Sequence, residues 1–437
     1  MYIFLHTIIF ATLSNGVFGG SAMSSSSSSP SSSKKPADNF NIDKFRYKGD
    51  PIYFMCITTD SQREFYVAEV NGSIPSALVD RLDNEKGLSL LFHGVENIFD
   101  SVNESFSPFA NEWFEASGNN ICIVSYTYVT NSSTDTKMNS TIGRMVKTRR
   151  LEYVAKMARD LVLDIGEKCA TSTRNKCVKN LSHVDVTGFG FGAHIAGYTC
   201  EYLFKKTGGK VRLLLALDPI KPALRGIRTT IKRRAADYVQ VIHTSIKVGM
   251  WNQTGDVDIY VKYESDENLG PLNDVHGIAF FIHLATSTKR LFIMAEMNNN
   301  TKPGIGKVLN SPTNIEPNEC LIGVHGTLNV NHRGKRFGLL LKNGDPIFWR
   351  GVGNFKYIIS GLQEVEEEDE DCILCYENKK NALLLPCRHM ETCVTCWFEW
   401  ENAQTSDRNC PICRREVKDF KEVNKKNLRK RKRNQND

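Results

Sequence analysis

VDVTGFGFGAHIAG, residues 184–197, is the stretch from which the fold is read. Alternating β-branched residues run into glycines at 188, 190 and 192, and small and apolar residues follow at helical spacing. Glycine tolerates positive φ and lets another backbone pass close by, so the run predicts a sharp strand-to-helix turn. Working outward, residues 89–93 (SLLFH) and 120–126 (NICIVSY) read as buried strands. Residues 211–217 read as another, closed by Asp218-Pro219. Residues 146–165 carry Leu151, Val154, Met157, Ala158, Leu161 and Val162 at helical spacing. Short apolar runs alternating with helical periods predict an α/β domain over residues 42–360.

Several segments of this domain, in order, resemble the α/β-hydrolase lipases of the pancreatic-lipase type. They are His93-Gly94 after a strand, residues 188–194, Leu217-Asp218-Pro219, residues 237–244 (DYVQVIHT) and His276-Gly277-Ile278-Ala279. The resemblance implies an oxyanion loop at His93-Gly94, a nucleophile elbow at 188–194, a catalytic acid at Asp218 and a catalytic base at His276. The chain departs from the family at the decisive place: Gly190 stands where the nucleophilic serine belongs, and Phe189 replaces the neighbouring histidine. In a Ser-His-Asp triad the hydroxyl attacks while histidine takes its proton, and glycine offers no hydroxyl. Loss of that serine costs subtilisin about 10⁶ in turnover. The expectation is therefore a lipase-like domain without hydrolase activity, with Asp218 and His276 vestigial. With no nucleophile, His276 and His243 read better as ordinary buried histidines. The glycine pattern Gly188-x-Gly190-x-x-Ala193 also fits a dinucleotide fingerprint. That motif normally opens a fold and needs an acidic residue about 20 positions on, which is not where this chain has one. The resemblance further implies an apolar pocket for a lipid, sterol or other hydrophobic ligand. Its lid region, residues 244–274, lacks a cysteine pair.

The second informative stretch lies near the C-terminus, where seven cysteines and one histidine form four pairs: Cys372-x2-Cys375, Cys387-x-His389, Cys393-x2-Cys396 and Cys410-x2-Cys413. Zinc takes four sulfur or nitrogen ligands in a tetrahedron, and this spacing suits it. Eight ligands imply two Zn2+ ions. The pattern resembles the C3HC4 RING finger, in which first and third pairs share one ion and second and fourth the other. The resemblance assigns Cys372, Cys375, Cys393 and Cys396 to one ion, and Cys387, His389, Cys410 and Cys413 to the second. It also implies docking of a ubiquitin-charged conjugating enzyme on Leu374, Trp400 and Pro411, with Arg414 as the basic linchpin that touches ubiquitin. A purely structural zinc knot and a disulfide-linked tail are the competing readings.

The 437 residues divide into an apolar signal-like segment (1–22), a Ser-rich stretch (23–41), the lipase-like domain (42–360), an acidic linker (361–371), the RING (372–417) and a basic tail (418–437). Hydrophobic content of 41% is ordinary for a globular chain. The net charge of +7 sits largely in the tail, where residues 421–437 hold eight basic and two acidic side chains. The expected function is a RING-type E3 ubiquitin ligase whose lipase-like domain selects a protein target or senses a hydrophobic ligand. The alternatives are a non-enzymatic binding protein whose RING serves assembly, and a secreted lipase or esterase. Nucleic acid is not an expected partner.

Compartment cues conflict. The signal-like segment and sequons at Asn71, Asn103, Asn131, Asn139, Asn180, Asn252 and Asn299 point to export, and Cys169 is close enough to Cys177 to pair there. Met23 offers a second start that deletes the apolar segment. Zinc thiolates and ubiquitin point to the cytoplasm or nucleus, which is the expectation.

Overall fold

The computed structural model describes residues 40–347 and 372–423, apart from 62–63, 95–106, 128–137, 171–177, 179, 223–226, 247, 264–275, 300, 343–344, 346, 373–377, 379, 388–389, 391, 404–408 and 411–415. The larger domain is a mixed twelve-stranded sheet with helices on both faces. Its strands are β1 (Ile52–Ile57), β2 (Tyr66–Val70), β3 (Leu88–Phe92), β4 (Asn120–Ser125), β5 (Val184–Phe189), β6 (Leu213–Leu217), β7 (Tyr238–His243), β8 (Val257–Tyr263), β9 (Phe292–Met297), β10 (Lys307–Leu309), β11 (Glu319–Leu321) and β12 (Lys335–Leu341). They run in the order β10-β9-β12-β8-β7-β6-β5-β3-β4-β1-β2, with β11 paired to β9. The centre, from β4 through β3, β5, β6, β7 and β8 to β12, is parallel. The flanks are antiparallel.

Parallel central strands are covered on both faces, so their sequences are apolar throughout while successive side chains enter different cores. On β4, Cys122 and Val124 join one core, and Ile121 and Ile123 the other. The first core receives α1 (Ser76–Leu82), α4 (Arg150–Ala170) and α5 (Gly192–Thr207). The second receives α2 (Ser107–Ser117) and α6 (Ile278–Ser287).

The helix expected over 146–165 is in fact two. Val146 belongs to α3 (Met138–Lys147), and α4 begins only at Arg150. Arg149 between them takes φ 56, the left-handed region, which ends the first helix. Arg150 is fully buried and donates to three backbone carbonyls, Tyr126 O at 2.6 Å, Asp50 O at 2.6 Å and Pro51 O at 2.9 Å, as well as to the Tyr47 hydroxyl. A polar residue that breaks an amphipathic pattern is here the clamp that fixes the start of α4 to the chain just before β1 and just after β4.

Cys56 on β1 lies directly opposite Cys122 on β4, and the two form a disulfide. The sequence leaves Cys169 and Cys177 open as a pair or as buried thiols; Cys169 is buried, and Cys177 lies outside the described residues. Among the described residues, no helix is long and apolar enough to cross a membrane.

The C-terminal domain is small. Strands β13 (Ala382–Leu385) and β14 (Asp419–Glu422) pair antiparallel, and α7 (Val394–Ala403) follows the third ligand pair's first cysteine. Trp397 on α7 is fully buried with Ala382, Leu384, Cys410 and Val417. The signal-like segment, the acidic linker and the distal basic tail lie outside the described residues.

Candidate functional site

The elbow sits where the opening motif placed it. Strand β5 ends at Phe189, Gly190 turns with φ 56, and α5 starts at Gly192. A Cβ on Gly192 would lie 2.3 Å from Phe92 O and from His93 O, so only glycine lets the start of α5 pass the end of β3. Asp218, at the end of the neighbouring strand β6, is fully buried. Its Oδ1 accepts the backbone N–H groups of Thr244 (2.8 Å) and Ser245 (3.1 Å). Its Oδ2 accepts Nδ1–H of His276 at 2.6 Å. A carboxylate on Nδ1 fixes the imidazole tautomer and aims Nε2 away from it. Here Nε2 lies 2.9 Å from the point a Cβ on Gly190 would occupy.

Residues 190, 218 and 276, far apart in the chain, are thus brought together in the arrangement expected of a nucleophile position, an acid and a base. His276 is buried and hydrogen-bonded, as the ordinary-histidine reading has it, and its ring is oriented by Asp218 and faces the elbow. His243 also fits that reading. It is buried, with Nδ1 against Met250 O at 2.7 Å and Nε2 against Asp258 Oδ1 at 2.9 Å. Phe189 stacks on His276 with ring centroids 4.5 Å apart, a contact that the sequence did not reveal. The distance from Nε2 to a Cβ at 190 is shorter than real Cβ contacts, so a side chain there would require the tip of the imidazole to shift.

His93, on the loop expected to bear the oxyanion site, is buried, and burial holds its pKa down at about 3. Tyr126 stacks on it and donates its hydroxyl to His93 O. His194 on α5 is likewise buried, with Nε2 against Ile220 O at 2.8 Å and its pKa pushed down to about 4 by burial. The open cavity around Lys86, Asn119, His183 and Arg212 lies at the other end of the central strands, away from the elbow. Arg212 on its wall also holds the buried Asp185 bidentately.

In the C-terminal domain, Cys372, Cys393 and Cys396 are buried with their sulfur atoms all within 4.8 Å of one another. Three converging thiols in a water-excluded site fit tetrahedral zinc. Cys375, the fourth ligand expected there, is outside the described residues. Cys387 and Cys410, assigned to the second ion, pack in one cluster with Trp397, while His389 and Cys413 are outside the described residues. So are Leu374, Pro411 and Arg414. Trp400 is on α7, but its side chain is not described.

Comparison with known proteins gives the same two-part picture. Residues 368–420 match the family described as zinc finger, C3HC4 type (RING finger), and residues 147–267 match the Lipase family. A phospholipase A1 of Vespula maculifrons is 30% identical over 138 residues, covering 30% of this chain and 43% of the wasp protein. Apoptosis inhibitor 1 of Autographa californica nuclear polyhedrosis virus is 43% identical over 54 residues, 12% of this chain and 17% of that one. The E3 ubiquitin-protein ligase RNF26 of Mus musculus is 39% identical over 56 residues, 13% of each chain. The chain therefore spans well under half the length of these three relatives. Among solved structures, a Pyrobaculum calidifontis esterase matches at 14% identity and a TM-score of 0.20, covering 40% of this chain and 47% of the esterase. Fold and site together define a lipase-type α/β-hydrolase domain followed by a zinc finger. More particularly, the chain carries a lipase domain of pancreatic-lipase type and, near its C-terminus, a C3HC4 RING finger.

Proposed function

We propose that the chain is a RING-type E3 ubiquitin ligase in which the lipase-type domain binds without hydrolysing. The observation that carries the ligase reading is the buried Cys372–Cys393–Cys396 cluster beside a fully buried Trp397, within a stretch matching RING fingers. Zinc, when bound at this cluster and at Cys387, His389, Cys410 and Cys413, supplies structure rather than chemistry. The residues then do the work. Leu374, Trp400 and Pro411 offer an apolar seat for a conjugating enzyme. Arg414 bridges that enzyme and ubiquitin, since its planar fork donates to two carbonyls at once. A thioester held in one pose reacts faster because the orientational cost is met in advance.

For the larger domain the reading rests on the elbow. Asp218 and His276 retain the geometry of an acid–base pair, but Gly190 supplies no hydroxyl and His276 leans into its place. A lipase-type domain without a nucleophile at the elbow is suited to holding a hydrophobic ligand or a protein target. The test is autoubiquitination by the purified chain with a panel of conjugating enzymes. Zinc-dependent chains with at least one of them are expected; none with any enzyme overturns the ligase reading and favours an assembly role for the RING. Equilibrium binding of fluorescent fatty acids tests the second half, and a signal that never saturates counts against it.

A further inference from the structure

We propose that the lipase-type domain matures in an oxidising, glycosylating compartment, where Asn71, Asn180, Asn252 and Asn299 accept N-linked glycans. Two independent observations meet here. The first is the Cys56–Cys122 disulfide. It joins strands paired in register, is fully buried in the core beneath α4 and α5, and closes a sequence separation of 66 residues. Disulfides of this kind persist in oxidising compartments and are rare where glutathione keeps thiols reduced. The second is the placement of the sequons. Asn71, Asn180, Asn252 and Asn299 each begin an N-x-S/T triplet, and each is exposed. Asn71 follows the edge strand β2 in a turn that Gly72 closes with φ 90. Asn252 lies between β7 and β8. At Asn299 the Thr301 hydroxyl donates to the amide Oδ1 at 3.0 Å, leaving that interaction on the oxygen and not on Nδ2. Exposure is ordinary for asparagine, so the sequons alone carry little; the disulfide points the same way from different chemistry.

The chemistry balances with common donors. In thiol–disulfide exchange, Cys56 and Cys122 pass two electrons and two protons to an oxidised protein disulfide, which leaves as a dithiol. In glycan transfer, asparagine Nδ2 attacks the anomeric carbon of a lipid-pyrophosphate-linked oligosaccharide. A C–N bond forms, the sugar–phosphate C–O bond breaks, the amide loses one proton and the lipid pyrophosphate leaves. This goes beyond the ligase reading and constrains it: a molecule that has crossed a membrane is separated from ubiquitin, so glycan-bearing and ubiquitin-bearing molecules are different molecules.

The experiment expresses the full chain in insect cells and treats the extract with peptide N-glycosidase. An increase in mobility is expected, reduced stepwise by Asn71→Gln, Asn180→Gln, Asn252→Gln and Asn299→Gln. The glycosylated pool is then denatured with an alkylating agent present. Cys56 and Cys122 should remain unmodified until a reductant is added. A chain whose mobility the glycosidase leaves unchanged, a shift that the fourfold variant leaves undiminished, or alkylation of both cysteines without reductant each overturns the proposal. None of these readouts uses ubiquitin, so their failure is distinct from failure of the ligase assay.

Discussion

At position 190 glycine stands where the lipase resemblance places a nucleophilic serine, and the surrounding residues show how the turn is held. His276 is held on Nδ1 by Asp218 at 2.6 Å and on its face by Phe189, so its ring cannot swing away without losing both contacts. Gly190→Ser should give little p-nitrophenyl ester turnover above the solvent background unless His276 retreats, because the new Cβ meets Nε2 at 2.9 Å and a serine at φ 56 is strained. Turnover that rises by orders of magnitude on this one change would show that His276 yields. Asp218 has a structural duty as well, since its Oδ1 ties down Thr244 and Ser245. Asp218→Ala removes the partner of three donors in a fully buried place. It should cost about 3 kcal/mol or more in a urea titration, as the loss of one member of a buried hydrogen-bonded pair does. The positions of Gly190, Asp218 and His276 were legible in the sequence because each is tied to a local motif. The encroachment of His276 on the elbow was not, since it depends on distances between segments 86 residues apart, as 190 and 276 are numbered.

Among the elements, α7 makes the sharpest contrast. Its two tryptophans, Trp397 and Trp400, are one helical turn apart, and the sequence resemblance draws attention to the second. The first is the core of the domain. Trp397→Ala should unfold the C-terminal domain, because deleting a buried tryptophan costs about 3–5 kcal/mol, close to all that a domain this small possesses. Zinc retention after gel filtration would report it. Trp400→Ala should keep its zinc and lose ubiquitin transfer; loss of zinc there would assign Trp400 to packing instead. At the start of α4, Arg150→Met strands the carbonyls of Tyr126, Asp50 and Pro51 without their donor. The expected loss is about 3 kcal/mol in urea, as buried acceptors lose charge-assisted hydrogen bonds. Helical periodicity read across Thr148 and Arg149 as one continuous element, because apolar spacing says nothing about a left-handed residue between two helices.

For the whole molecule, buried neutral histidines set the acid limit. Burial lowers His93 and His283 to about 3 and His194 to about 4. A depressed histidine pKa means that the unfolded chain takes up protons first. Stability is then fully present above pH ~6.5 and falls as pH drops from there toward the folded values. At pH 5 the loss is ~2 kcal/mol for each histidine, from 1.36 kcal/mol per unit. Thermal melts should show Tm falling steeply between pH 6.5 and 5; a flat profile would mean that these rings are hydrated. Fold class and the Cys372–Cys393–Cys396 cluster were readable because alternation, helical period and C-x2-C spacing are local. The partner of Cys56 was not readable, because it depends on β1 lying beside β4. The placement of His276 also bears on any attempt to rebuild the elbow. A side chain introduced at 190 fits only if the imidazole tip retreats, so Asp218 and Phe189, which hold that ring from its edge and its face, set how readily the turn accepts a new group.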